Sequence, residues 1–327
     1  MLQHKIFNAL TIVKDGEPAF DDAVDTTLRL RENLSMDSLL KSLSPVVPVF
    51  LLIAIGYFFA RYKKISLEPI TEIVVYLGAP CLVFTSLASK PLFAADIAVN
   101  FAGLFGIFAG VGLLVWGYAL LTRFTSPGFT LPVLFMNAGN MGISLALFAF
   151  GEPGLQRGTL LYVMITLVHN SLGIYLLGGR SGAGEIFRLP LIYAAVLGLL
   201  FNVAQIRIPE PIFQPLSLLG YSVIPLMLLS LGYRLYNIRS LTWGHSIAGA
   251  LMRVAGGFTA AYLTVTLLGI EGLNRQVILL YGALPSAVIN FVLVEKYSRD
   301  SELAASIIFF STVLSLLTVP LVLWLIL

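Results

Sequence analysis

Charge is what this sequence has least of: Asp, Glu, Lys and Arg together make up 11% of its 327 residues, against roughly 25% in an average soluble domain. The formal balance of +3 is small and its carriers are scattered, which argues against nucleic-acid binding. A single cysteine, Cys81, excludes any intramolecular disulfide. No Asp or Glu falls at the centre of any long apolar stretch, because Glu72 and Glu295 stand near stretch ends. A cation/proton antiporter needs a carboxylate at its ion site, so that function is disfavoured.

What is present is apolar. Hydrophobic residues reach 58%, and the chain reads as an all-α integral membrane protein. Stretches close to the ~20 residues that span a bilayer fall at about 43–60, 68–88, 97–121, 129–150, 156–178, 189–206, 211–233, 241–269, 275–294 and 303–326. So little chain lies between these ten predicted helices that no soluble catalytic domain fits. Loops after odd-numbered helices carry ten cations, Arg61, Lys63, Lys64, Arg123, Arg180, Arg188, Arg234, Arg239, Lys296 and Arg299, and those after even-numbered helices carry four, Lys90, Arg157, Arg207 and Arg275. The excess places the odd loops in the cytoplasm and both termini outside the cell or plasma membrane.

Residues 1–41 form a polar extension with seven acidic positions. Within it Asp21-Asp22-Ala23-Val24-Asp25 has the spacing of a magnesium-binding prenyl-diphosphate motif. That chemistry needs a second acidic cluster across the substrate, and the sequence has none. Met36, just ahead of the first apolar stretch, is a natural start, so residues 1–35 are expected to be either a dispensable extension or an over-called start.

The remainder divides into two similar halves, 42–178 and 189–327, joined by a short cytoplasmic linker, 179–188. Tyr76-Leu-Gly-Ala-Pro80 answers Tyr221-Ser-Val-Ile-Pro225 at an offset of 145 residues. The same offset relates two interruptions of apolar helices, Asn137-Ala-Gly-Asn-Met-Gly-Ile-Ser-Leu145 and Gly282-Ala-Leu-Pro-Ser-Ala-Val-Ile-Asn290. Five helices per half make the repeats inverted, an arrangement that favours alternating access at a midplane site between broken helices. Irregular backbone at membrane depth survives only where protein buries it or it lines a polar cavity. Helices 4 and 9 are therefore predicted to break and to meet there, with Gly139, Gly142, Gly282 and Pro285 making the breaks. Asn137, Asn140, Ser144, Pro285, Ser286 and Asn290 are the candidate substrate-binding residues there.

These two segments resemble those of the auxin efflux carrier family, whose plant members are the PIN carriers. Asn137 to Leu145 is similar to the family's Asn-x-x-x-Met-Gly-Ile-Pro-Leu, and Ala283 to Val292 to its Ala-Leu-Pro-Gln-Gly-Ile-Val-Pro-Phe-Val. Ser230-Leu-Gly232, Arg253 and Gly257 also find counterparts. The resemblance runs from about residue 42 to the C-terminus. It implies a ten-helix inverted-repeat carrier of auxin or a small carboxylate such as malonate, with crossing helices 4 and 9 and no cofactor. Two family prolines are replaced, by Ser144 and Asn290, whose oxygens either bond freed backbone groups or help ligate Na⁺. The plant carriers' long central loop is absent.

Arg253 lies about 18 Å into the eighth stretch, near mid-membrane, where a guanidinium costs at least about 2.5–3.5 kcal/mol without a partner. It either binds carbonyls of a broken helix or supplies positive potential to an anionic substrate. His169 is either a packing residue or proton-linked. Paired with Ser144 it would make an intramembrane hydrolase, which further needs an oxyanion hole. The expected function is thus secondary transport of a small organic anion, with Na⁺ or H⁺ coupling and a homodimer left open. A sensor on the same fold is the alternative.

Overall fold

The computed structural model describes residues 36–178, 188–238, 241–297 and 300–327. The expected extension 1–35, most of the linker, and Arg180, Arg239 and Arg299 lie outside the described residues. Among the described residues every element is helical apart from one isolated antiparallel bridge, Met136 to Ser286. In chain order the elements are α1 (Val46–Tyr62), α2 (Glu68–Ser89), α3 (Ala94–Thr122), α4 (Pro127–Leu134), α5 (Ala138–Leu176), α6 (Pro190–Val203), α7 (Glu210–Tyr236), α8 (His245–Leu267), α9 (Gly272–Gly282), α10 (Ile289–Tyr297) and α11 (Ser301–Ile326), with Met36–Leu43 ahead of them.

Among the described residues seven helices are long and apolar enough to cross a membrane. The difference from the ten predicted passes has a physical origin at three places. α6 has only 14 residues. The predicted ninth stretch is divided into α9 and α10 by a non-helical segment. The fourth is divided after Leu134, and its second part runs on into the fifth as α5, bent at Gly151, whose φ of 66° is left-handed. Glycine reaches that region without a Cβ penalty.

Two helix groups pack together. α1, α2, α6 and α7 form one, and α3, α8, α9 and α11 with the broken segments form the other. Lipid has no hydrophobic preference for driving helices together, so close approach relies on small residues. A Cβ on Gly232 of α7 would lie 1.9 Å from the Ile53 carbonyl oxygen, and one on Gly56 of α1 would lie 2.1 Å from that of Leu229. In α3 the buried positions Asn100, Gly103, Leu104, Ile107 and Val111 follow helical spacing. Phe101, Phe105, Trp116 and Leu120 stand exposed on the opposite side, a surface suited to lipid.

Among the described residues four π-helical turns interrupt the α-helices: Val74–Gly78, Ala138–Gly142, His169–Gly173 and Met252–Gly256. Such turns concentrate at functional sites. All four adjoin the region where the broken helices meet, as described next.

Candidate functional site

The site starts from two breaks that complete each other. α4 begins with Ser126 as N-cap, its hydroxyl accepting from the Gly128 amide at 3.1 Å, and Pro127 follows at the first helical position. It stops after Leu134, and Phe135 to Asn137 run non-helically. α9 stops at Gly282, and residues 283–288 do the same. The Asn137 amide donates to the Pro285 carbonyl at 2.8 Å, and the Ala287 amide donates to that of Phe135 at 3.1 Å. The Asn290 side chain adds a bond from Nδ2 to the Phe135 carbonyl at 3.0 Å and another to Ser286 Oγ at 3.0 Å. Each break thus supplies the partners that the other break's freed peptide groups require in a low-dielectric interior.

Arg253 seals one face of this crossing. Its side chain is 0% exposed. Nη1 donates to the carbonyls of Val133 and Leu134 at 3.0 Å each, and Nη2 donates to that of Gly282 at 3.0 Å. These are the last carbonyls of α4 and α9, the negative ends of both half-helices. The π turn Met252–Gly256 carries the arginine there, and Gly257 makes room: a Cβ on it would lie 2.0 Å from Nη2.

The opposite face of the crossing borders a cavity of about 240 Å³. Ala138, Gly139 and Asn140 from the start of α5, and Ala287, Val288 and Ile289 leading into α10, form part of its wall. The positive ends of both half-helices therefore meet the cavity. Asn137 caps α5, its Oδ1 accepting from the Asn140 amide at 3.3 Å. It is 3% exposed, and its Nδ2 has no hydrogen-bond partner. Further wall residues include Thr71, Val74 and Val75 of α2, Tyr162, Thr166, His169 and Asn170 of α5, and Met227, Ser230 and Arg234 of α7. Three of the four π turns thus contribute wall residues.

The structure brings Asn137, Gly139, Asn140 and His169 into the cavity wall. Ser144, Pro285, Ser286, Asn290 and Arg253 stand behind it, within the crossing itself. Ser144 Oγ donates to the Asn140 carbonyl at 2.8 Å, Ser286 Oγ accepts from Asn290 Nδ2, and the Ser286 backbone amide donates to Ser311 Oγ at 3.1 Å. Gly139 and Gly142 do not form an extended break. Both lie inside the π turn after the Asn137 cap, because the chain resumes helical geometry at Ala138. Their value is steric: a Cβ on Gly139 would lie 3.0 Å from Tyr162 and 3.1 Å from Met227, and one on Gly142 would lie 2.8 Å from Tyr281. His169 stacks on Phe135 with ring centroids 4.2 Å apart and makes no hydrogen bond to Ser144.

Arg234 and Arg157 depart from expectation. Hydropathy reads both as loop residues, and both belong to helices, as do Arg61, Arg275 and Lys296 at or near helix ends. Arg157 lies within α5 and pairs with Asp96 at 3.2 Å, with Asn274 accepting from its Nε at 2.7 Å. Arg234 lies in the last turn of α7 and faces the cavity. Its signal in the sequence is the Ser230-x-x-x-Arg234 spacing, which puts both on one helical face. Thr71, Tyr162 and Met227 carry no local signal of their own.

A family model described as "Membrane transport protein" matches residues 174–323. An "Uncharacterized transporter" of Methanothermobacter thermautotrophicus is 30% identical over 300 residues, covering 86% of this chain and 97% of the relative. A "Putative malonate transporter" of Rhizobium meliloti is 25% identical over 306 residues, 86% of this chain and 94% of the relative. A "Probable auxin efflux carrier component 3b" of Oryza sativa subsp. japonica is 23% identical over 175 residues, 51% of this chain and 27% of the relative.

Proposed function

We propose, because this chain belongs to the auxin efflux carrier family of membrane transport proteins, that it carries a small carboxylate across the membrane by alternating access. The observation that supports the substrate class most is the unpartnered Nδ2 of Asn137 beside a cavity where two half-helices begin. Donors and positive helix ends converge there without a carboxylate in the wall, a setting for an anion. The relatives named for malonate and auxin efflux bring carboxylates to this chain as the first compounds to test.

In this reading residues 42–178 and 189–327 are inverted five-helix repeats. The broken fourth helix is α4 with the start of α5, and the broken ninth is α9 with α10. The cation excess puts the Arg234 end of α7 toward the cytoplasm. On the far side Tyr221 of α7 donates a hydrogen bond to Glu152, and Gln156 Nε2 of α5 donates to the Lys90 carbonyl at 2.6 Å. Release outward requires these contacts between the two helix groups to part. Na⁺ or H⁺ coupling, with Ser144, Asn290 and His169 as the residues to examine, belongs to the same proposal.

Reconstituted protein tests it. Saturable uptake of a radiolabelled carboxylate into proteoliposomes, lost in Asn137→Ala, is the expected result. Binding without flux identifies a receptor, and neither binding nor flux for any carboxylate overturns the substrate class.

A further inference from the structure

Three arginines of the helical body have different surroundings. Arg253 is enclosed by three carbonyls, and Arg157 has Asp96, Asn274 and the Pro153 carbonyl. Arg234 is half-buried, and among the described residues its guanidinium makes one hydrogen bond, from Nη2 to Thr71 Oγ1 at 3.3 Å. Thr71 spends its own proton on the Leu67 carbonyl at 2.8 Å, so its oxygen is free to accept. Among the described residues no carboxylate lies within ion-pairing distance of Arg234. A guanidinium offers five N–H donors in a planar fork, and nearly all of this one's remain unspent.

The unspent donors have somewhere to point. Met227, Ser230 and Arg234 share one face of α7 and all border the cavity. Met227 sits against the start of α5, where its Cε lies 3.1 Å from the position a Cβ on Gly139 would take. Two helical turns, about 10 Å, separate the Met227 and Arg234 backbones, and helical side chains lean toward the N-terminus, which carries the guanidinium back toward Asn137. Arg234 also borders a second cavity of about 460 Å³, which shares Val288 with the first and includes Glu302. It therefore stands where the two spaces adjoin.

We propose that Arg234, anchored by Thr71, receives the second charge of a dianionic substrate whose first carboxylate is held at Asn137 and the two helix starts. The site then selects short dicarboxylates over monocarboxylates of similar length. This rests on the carboxylate-carrier reading given above and adds to it a residue that sets specificity. A cation facing an apolar-walled cavity without a counter-ion is poorly solvated, and a ligand carboxylate supplies the missing bidentate partner.

Purified full-length protein is titrated by thermal shift and calorimetry with the potassium salts of malonate and succinate, and of acetate and propionate. The wild type should prefer the dicarboxylates. Arg234→Gln should weaken dicarboxylate affinity about ten- to hundred-fold, the scale of a lost charge-assisted pair, and monocarboxylate affinity far less, so that the ratio collapses. Arg234→Lys should retain part of the preference, and Thr71→Val should reduce it by a few-fold. Melting temperatures without ligand establish that each variant is folded, and if Arg234→Gln is not, Arg234→Lys and Thr71→Val decide. A preference unchanged in the folded variants, or a wild type that binds both classes equally, overturns the assignment of Arg234 and leaves the carrier reading standing. A wild type that binds none of the four salts overturns the dicarboxylate assignment, and the uptake assay above then decides the carrier reading.

Discussion

The two faces of the crossing are built from the same two broken helices, yet they are finished in opposite ways. On one face the carbonyl ends of α4 and α9 converge on Arg253, a cation the protein supplies, and the region is closed. On the other the amide starts of α5 and α10 border a cavity, Asn137 leaves a buried donor unpartnered, and Arg234 has a single hydroxyl for company. The negative ends of the half-helices are neutralised from within, whereas the positive ends are left for something from outside. In the proposed function, helix polarity thus separates scaffold from recognition across one crossing.

The contrast is most exposed at Arg253. Arg253→Gln should lower stability by about 2–5 kcal/mol, since three charge-assisted bonds at about 1.5–3 kcal/mol each are lost and only partly offset by relief of a buried charge. Arg253→Lys should be nearly as damaging because one ammonium cannot reproduce the fork. Melting temperature and carboxylate affinity, measured on the same samples, should fall together. A Gln variant of native stability that has lost binding would place Arg253 on the recognition side and break the comparison.

Glycine-to-alanine changes on the two faces sharpen it. A Cβ on Gly282 meets the Ala261 Cβ at 2.5 Å and the Gly257 carbonyl oxygen at 2.7 Å, so Gly282→Ala should cost about 1–3 kcal/mol by forcing backbone apart. A Cβ on Gly139 meets only the far ends of the Tyr162 and Met227 side chains, at 3.0 and 3.1 Å. Gly139→Ala should cost less than about 1 kcal/mol while reducing affinity, because the added methyl occupies cavity space. Equal destabilisation by the two, read from thermal melts, would show that the cavity face is as closely packed as the other.

The smallest effect on stability is expected at Asn137, where the largest effect on binding is also expected. Asn137→Ala removes one 3.3 Å capping bond but also a buried donor with no partner, and the two changes should nearly cancel, within about 1 kcal/mol. Carboxylate binding should disappear. A stable variant with native affinity would move the anion away from the start of α5.

Much of this arrangement was legible beforehand at particular positions. The apolar stretches located the helices, because bilayer thickness demands a run of fixed length. The Asn-Ala-Gly-Asn and Ala-Leu-Pro-Ser segments identified where backbone leaves the helix, although the first break ends at Asn137 instead of running through Gly142. Arg253 announced itself by depth, which is compatible with both of its readings until its three carbonyl partners are seen. Arg234 was hidden for the complementary reason: a cation in the last turn of a helix looks like a loop residue when only hydropathy is read. The π turns at Val74–Gly78 and His169–Gly173 had no local signal either, since a single widened turn leaves composition and periodicity almost unchanged.

The sequence by itself determined that this chain is helical, crosses a membrane several times and breaks two of its helices at residues suited to doing so. Those outcomes follow from local chemistry, namely the transfer preference of side chains and the conformational limits of glycine, proline and asparagine. Tertiary structure alone decided which polar groups face one another. Val133, Leu134 and Gly282 reach Arg253 from two helices more than a hundred residues apart along the chain, and Thr71 reaches Arg234 across a similar interval, 163 residues. Hydrogen bonds and charges act over a few ångströms in space, so their pairing is set by how helices pack and not by how residues are spaced along them.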